Sequence, residues 1–396
     1  MGSIAQDSQL QQQMREWRRD IHAYPETAYE EHRTAAKVEQ LLLSFDLEVH
    51  TGLAITGVVA SLTGNLKTDS TDNPSIGLRA DIDALNLQEL NQFSHCSRHA
   101  GKMHACGHDG HTAMLLGAAK YLSEHRDFAG TVVFIFQPAE EGEAGAKLMC
   151  DEGLFERFNV DAVYGMHNWP GIEQGKFAVH AGPVMASMDL FDITIYGQGC
   201  HAGMPHLGTD PIMVAGQLIS AVQSIVSRDL DPLHSGVVTI TQMHGGEAYN
   251  IVPDSVTLSG TCRAFSIEQQ TQIETLLRQR VTSICEAFGA KGELDYRKVA
   301  PCTENHPQNT QVCIDVTRSL VGDSNVLLEE SPSMGSEDFA FMLLEKPGAY
   351  IWIGNGLIEA GKGLHNPHYD FNDDILALGA NYWIALAQSQ LGWAAV

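Results

Sequence analysis

The sequence predicts an α/β fold in which a larger domain, built on a mostly parallel mixed sheet flanked by helices, carries an inserted ferredoxin-like α+β domain. Three observations predict it. The run Thr131–Gln137 (TVVFIFQ) is continuously apolar and rich in β-branched and aromatic residues, as in a strand covered on both faces. Helical and buried-strand patterns alternate through the first part of the chain, which favours a parallel sheet between helices. Near residue 185 the pattern changes to the order β-α-β-β-α-β over about 110 residues, the order of a ferredoxin-like sandwich.

The elements follow in chain order. Residues 10–43 read as helical, with an interruption at Tyr24-Pro25. Short buried strands are expected at 58–62 and 76–79, joined by a polar loop at 67–75. Residues 111–125 carry a helical Ala/Leu pattern, and the strand Thr131–Gln137 follows. In the inserted part, strands are expected at 189–196, 236–243, 255–265 and 292–299, with helices at 210–226 and 267–288. The α/β pattern resumes from Thr310, with a strand at 350–353 and a C-terminal helix. The domain boundaries expected are therefore 1–184 with 300–396, and 185–299 for the insertion.

Composition excludes several function classes. Asp plus Glu number 49 against 24 Lys plus Arg, a formal charge of −25, which disfavours nucleic acid and anionic membranes as partners. The eight cysteines show no disulfide framework. No apolar targeting segment stands in residues 1–19, and runs such as 132–136 are too short to span a bilayer. A cytoplasmic protein is expected.

Chemistry concentrates in a few segments. His104-Ala-Cys106-Gly-His108-Asp109-Gly-His111 packs a thiol and imidazoles among small residues, a compact set of metal donors or a polar loop opening a helix. Gln137-Pro-Ala-Glu140-Glu141-Gly142 follows a buried strand, so both carboxylates fall at its C-terminal end, where open α/β sheets bind ligands. Adjacent carboxylates repel unless a cation neutralises them. A divalent metal would do so, one Glu ligating and the other serving as base, although a solvated acidic turn has the same residues. His167 follows an apolar run, and His365 stands in a loop before the C-terminal helix. Each alone reads as an ordinary structural histidine; the donors taken together do not.

These segments, with Arg19-Asp-Ile-His22-Ala-Tyr-Pro25-Glu26, Leu78-Arg-Ala-Asp81-Ile-Asp83-Ala-Leu, Gly197-Gln-Gly-Cys200-His201-Ala, Gly245-Gly-Glu-Ala-Tyr-Asn250 and Gly335-Ser336-Glu337-Asp338, run in order through nearly the whole chain. The chain resembles the amidohydrolase branch of the dinuclear metallopeptidases, which includes hippurate hydrolases, bacterial N-acyl-amino-acid amidohydrolases and plant auxin-conjugate hydrolases. The resemblance implies a metal-binding catalytic domain and an inserted lid or dimerisation domain. It implies Cys106, His108, Glu141, His167 and His365 as ligands of two divalent ions, zinc first, with manganese, cobalt or nickel as alternatives. Glu140 would be the general base. His201 would reach the oxyanion across a homodimer interface, while Asn250 and Arg263 would hold the substrate carboxylate. Position 200 is Cys where many relatives carry Gly or Ala, and Asp81-Ile-Asp83 stands where the wider superfamily has a ligating His-x-Asp. Whether Asp81 or Asp83 joins the ligand shell is left open. The activity implied is hydrolysis of small N-acyl amino acids; a dipeptidase or aminopeptidase would use the same residues. A non-catalytic metal scaffold would have lost Glu140, and it is present.

Overall fold

The apolar runs form the middle of an eight-stranded sheet. Its strands lie in the order Glu48–Leu53, Gly57–Thr63, Thr131–Gln137, Ser75–Asp81, Ala162–Trp169, Gly348–Gly354, Phe177–Ala178 and Val326–Leu327. The four central strands, Thr131–Gln137 to Gly348–Gly354, are mutually parallel, and antiparallel pairs flank them. Ser75–Asp81 and Gly348–Gly354 are buried at every residue, which is why neither alternates; Gly348–Gly354 is apolar throughout, while Ser75–Asp81 buries Arg79 and Asp81 as well.

This computed structural model describes Ile4 and residues 7–66, 73–358 and 362–393. Of the polar loop expected at 67–75, residues 67–72 lie outside the described residues. The chain divides into two compact units: Met1–Val184, Glu304–Ser331 and Asp338–Val396 form the first, Met185–Thr303 and Pro332–Glu337 the second.

In the first unit the helical stretch at the N-terminus is two helices, Ser8–Ala23 and His32–Ser44, parted around Pro25. Helix His108–Glu124 is buried from His108 through Ala119 and packs against Ser8–Ala23 and Leu376–Gln390. Its encirclement explains its composition: Ala and Gly on every side let neighbouring helices approach, and a Cβ at Gly379 would sit 1.9 Å from Met114 Sδ. The helix starts at His108, three residues before the start expected from the apolar period. Gly107 takes φ +98° and turns the chain into the helix, so the polar first turn belongs to it.

The second unit has strands Met188–Tyr196, Gly236–His244, Ser255–Ala264 and Lys291–Ala300 and helices Pro211–Ser224 and Ile267–Ala287. Its antiparallel sheet runs Gly236–His244, Ser255–Ala264, Met188–Tyr196, Lys291–Ala300, the strand order of a ferredoxin-like fold. Alternate residues Phe191, Ile193 and Ile195 face a core shared with Val214, Leu218, Val222, Ile273 and Leu277. Side-chain caps fix where both helices begin. Asp210 accepts from Ile212 and Met213 amides ahead of Pro211, and Ser266 accepts from Gln269.

Sheet spacing in the first unit tolerates no added atom at Gly348, where a Cβ would lie 1.9 Å from the Val163 carbonyl oxygen. Gly348→Ala must push apart the strands Gly348–Gly354 and Ala162–Trp169. The expected cost is about 1–3 kcal/mol, the usual range for overpacking, read as a lower Tm by calorimetry. An unchanged Tm would show that this strand pair is not close-packed.

Candidate metal centre

The parallel strands deliver the chemistry at their C-terminal ends. Asp81 closes Ser75–Asp81 level with Gln137, and His167 lies opposite Trp352 near the end of Ala162–Trp169. The chain order of the strands reverses about Ser75–Asp81, whose neighbours follow it on either side, and such reversals open a crevice at the strand ends. Into this end point the Cys106–His111 turn, the Glu140-Glu141 turn and the loop bearing His365. That loop is pinned by a hydrogen bond from the His365 amide to the Ala105 carbonyl (2.8 Å), and His365 itself adopts φ +59°.

The residues expected as metal ligands gather here. Donor atoms of Cys106, His108 and His167 lie within 4.8 Å of one another, as do those of Cys106, Glu141 and His365, and those of His108, Glu140 and Glu141. Shared members link the three groups into one cluster.

The hydrogen bonds decide which atoms remain for a ligand. His108 Nδ1 donates to the Asp83 carbonyl (2.9 Å) and faces its carboxylate (3.1 Å), which leaves Nε2 buried and without a hydrogen-bond partner. His167 Nδ1 donates to the Asn168 carbonyl (2.6 Å), so its Nε2 lone pair faces Cys106 Sγ at 3.3 Å. Glu141 Oε1 makes no hydrogen bond, yet lies 3.2 Å from His365 Nε2 and 4.0 Å from His108 Nε2. Nitrogen, sulfur and oxygen donors thus converge, and once deprotonated their lone pairs are directed at one another. That arrangement is repulsive unless a cation lies between them, so these residues fit divalent metal. His111 does not belong to the set. Its Nδ1 is bound to Asp81 (2.6 Å) and its Nε2 accepts the Asn168 amide (2.9 Å), so neither nitrogen is left.

Charge in the cluster is strongly perturbed. Burial opposes protonation of His108, but Asp81, Asp83 and Glu141 push its pKa up to about 10, the mark of a site that attracts positive charge. His167 goes the other way: burial, with His111 beside it, holds it well below the usual imidazole range. Asp81 stays ionised despite burial because His108, His111 and Arg79 surround it.

Residues that the sequence did not single out hold this geometry. Asn168 donates from its side chain to the Cys106 carbonyl (3.0 Å) and accepts from Tyr369 (2.5 Å). Buried Arg79 ties Gln137 (2.7 Å) and Asp81 (2.7 Å) together, and Asp338 accepts from Gln137 (2.7 Å) and from the Ala146 amide (2.9 Å). Buried Arg18 bonds Asp373 (2.7 Å) and Asp370 (2.9 Å), while His22 bonds Asp109 in the first turn of helix His108–Glu124 (2.8 Å). Arg79, Gln137, Asp338, His22 and Asp109 had as a sequence signal their place inside the matching segments; Arg18, Tyr369, Asp370 and Asp373 lie outside those segments. Between Asp81 and Asp83 the structure distinguishes two contacts: Asp81 holds His111, and Asp83 holds His108 and the Glu141 amide.

His201, Asn250 and Arg263 belong to the second unit. Strand Cys200–His201 pairs with Ile251–Val252, and the Asn250 carbonyl accepts the Ala202 amide (3.0 Å), so His201 and Asn250 are neighbours. Both are exposed. His201 Nδ1 accepts from the Gly203 amide (3.0 Å), which puts the ring proton on Nε2. Arg263 lies on another strand, Ser255–Ala264, with its guanidinium bonded to Thr261 Oγ1 and the Cys262 carbonyl. It does not join His201 and Asn250.

Comparison with known proteins places the chain in a family. The hippurate hydrolase of Campylobacter jejuni is 41% identical over 99% of this chain and all of that protein. An N-acetylcysteine deacetylase of Bacillus subtilis is 38% identical over 93% of this chain and 94% of its own. Among solved structures, a Bacillus subtilis protein described as a dinuclear metal binding peptidase superposes with a TM-score of 0.84 at 33% identity, covering 96% of this chain and 98% of its own. The model of peptidase family M20/M25/M40 matches residues 77–389, and the chain belongs to that family of metal-binding hydrolases.

Proposed function

We propose that this protein hydrolyses the amide bond of small N-acyl amino acids, releasing a carboxylic acid and an amino acid. The observation that carries the reading is the donor cluster, buried at Cys106, His108 and His167 and with Glu140 at its edge, in a chain aligned end to end with a hippurate hydrolase. Cys106, His108 through Nε2, Glu141, His167 through Nε2 and His365 would hold two divalent ions. The mixed sulfur, nitrogen and oxygen set suits zinc, with manganese, cobalt or nickel as alternatives. When bound, these ions supply Lewis acidity to the amide carbonyl and to the attacking water.

The chain's own groups do the rest. Glu140 accepts a proton as the water oxygen attacks the carbonyl carbon, then delivers it to the amide nitrogen as the C–N bond breaks. His201, with its proton on exposed Nε2, donates to the oxyanion, and it comes from the partner protomer of a homodimer. Asn250 and Arg263 hold the α-carboxylate, which requires Arg263 to leave its contacts on its own strand. The acid excess disfavours nucleic acid as a partner, and no helix among the described residues is long and apolar enough to cross a membrane. No disulfide forms among the described residues, in keeping with a reducing, cytoplasmic setting.

A panel of benzoyl-glycine, other N-acyl amino acids, Gly-Gly and Leu-Gly tests the activity; turnover of the dipeptides alone would make the protein a dipeptidase. EDTA should abolish hydrolysis, and elemental analysis of active protein should find up to two metals per chain. Less than about 0.1 metal per chain in fully active protein would refute the metal assignment.

Glu140→Gln keeps shape but removes the proton acceptor, so kcat should fall about 10²–10⁴-fold with metal content near normal. Glu141→Gln should instead lose metal. The reverse pattern would exchange the two roles.

Mixed dimers test His201. His201→Ala and Glu140→Ala homodimers should each be nearly inactive. Their heterodimer should recover up to half of the wild-type activity, because one of its two sites keeps both residues. No recovery in verified heterodimers would show that the two residues act from the same chain.

A further inference from the structure

The base proposed above sits on an unusual piece of backbone. After strand Thr131–Gln137 the chain turns through Pro138 to Gly142, with Ala139 at φ +55° and Gly142 at φ +90°. Glycine adopts such angles freely; for alanine the left-handed region costs about 1–2 kcal/mol, so something must hold Ala139 there. The amides on either side of Glu140 show what does. The Ala139 amide donates to Glu31 Oε1 (3.0 Å), and the Glu141 amide donates to Asp83 Oδ2 (3.0 Å). Both acceptors come from segments remote in sequence, and both are buried, Glu31 at 0% and Asp83 at 1% exposure. The second oxygen of Glu31 accepts the Thr56 hydroxyl (2.6 Å).

Packing does not account for Glu31. Its carboxylate oxygens bond the Thr56 hydroxyl and the Ala139 amide, and neither is a cation. Burial pushes its carboxyl up to about 7; Asp83 adds to the rise, and the bonds from Thr56 and the Ala139 amide oppose it. A buried carboxylate without a cation is costly, and a leucine would fill the space at less expense. What leucine lacks is an acceptor for the Ala139 amide.

We propose that Glu31 is a positioning residue for Glu140: with Asp83 on the far side, it locks the turn that aims the base at the reacting amide. The proposal rests on Glu140 being the base. It assigns Glu31 no contact with substrate or metal.

Three measurements on the full-length protein test it. In metal-free protein, hydrogen exchange followed by mass spectrometry should show faster exchange in the peptide spanning 138–145 for Glu31→Leu, and wild-type exchange for Glu31→Gln, which keeps an acceptor oxygen. In metal-loaded protein, Glu31→Leu should lower kcat about 10- to 100-fold, the scale of a misplaced catalytic group, with KM, metal content and Tm near normal. Glu31→Gln should stay within a few-fold of wild type. In a Glu140→Gln background, Glu31→Leu should cost nothing further. A folded, metallated Glu31→Leu with wild-type kcat and unchanged exchange overturns the proposal. So does a kcat loss that Glu31→Gln shares in full. Should Leu misfold, Glu31→Met, equally without an acceptor, carries the same test. If Glu140→Gln itself remains active, the base assignment fails, while the exchange data still judge the clamp.

Discussion

The hydrogen bond between His108 Nδ1 and the backbone carbonyl and carboxylate of Asp83 is the constraint on which the site turns. An imidazole has two nitrogens, and committing one fixes both the tautomer and the direction of the other. Because Nδ1 is spent on Asp83, the Nε2 lone pair must face Glu141 and the cluster, where no protein donor meets it. His167 repeats the device with the Asn168 carbonyl. His111 shows the contrast, since Asp81 and the Asn168 amide take both of its nitrogens and it becomes scaffold. Three buried histidines near one point thus divide by hydrogen bonding alone.

Holding so many carboxylates in a buried crevice needs compensation from outside the cluster. Arg18 and Arg79 are each about 1% exposed, rare for arginine, and each faces several acids. Arg79 ties Asp81, Gln137 and Asp338, and so joins the ends of two parallel strands to the start of helix Ala340–Glu345. Arg18 faces Asp109, Asp370 and Asp373, linking the N-terminal helix to the first turn that carries His108 and to the segment beyond His365. Removing one partner from such a buried group strands the others without compensation, a loss on the order of 3–5 kcal/mol. The buried charges of the site thus balance through partners drawn from several segments.

The second unit follows other rules. Its sheet is antiparallel, its strands alternate in burial, and its caps and core are ordinary. His201 and Asn250 are exposed and Arg263 is half-buried, and hydrogen bonds with nearby residues fix their local geometry. A site residue on such a surface has no buried network to define it, so geometry within the unit says less about its chemistry than burial does for His108.

The sequence by itself determined the fold class, because strand burial on both faces and alternation in the inserted part are periodicities of the chain. It also pointed to the donors that the fold gathers: Cys106, His108, Glu140 and Glu141 stand in two dense segments, while His167 and His365 gained weight only alongside them. Its errors were local. Helix His108–Glu124 begins before the apolar period does, because polar residues at a helix start obscure it and only Gly107's left-handed angle reveals it. Tertiary structure alone decided the supporting residues. Glu31 and Ala139 are 108 positions apart, Asp83 and the Glu141 amide 58, and Arg18 and Asp373 355. No periodicity records a contact made only when distant segments close, so which carboxylate clamps a turn and which remains for metal is written in the packing.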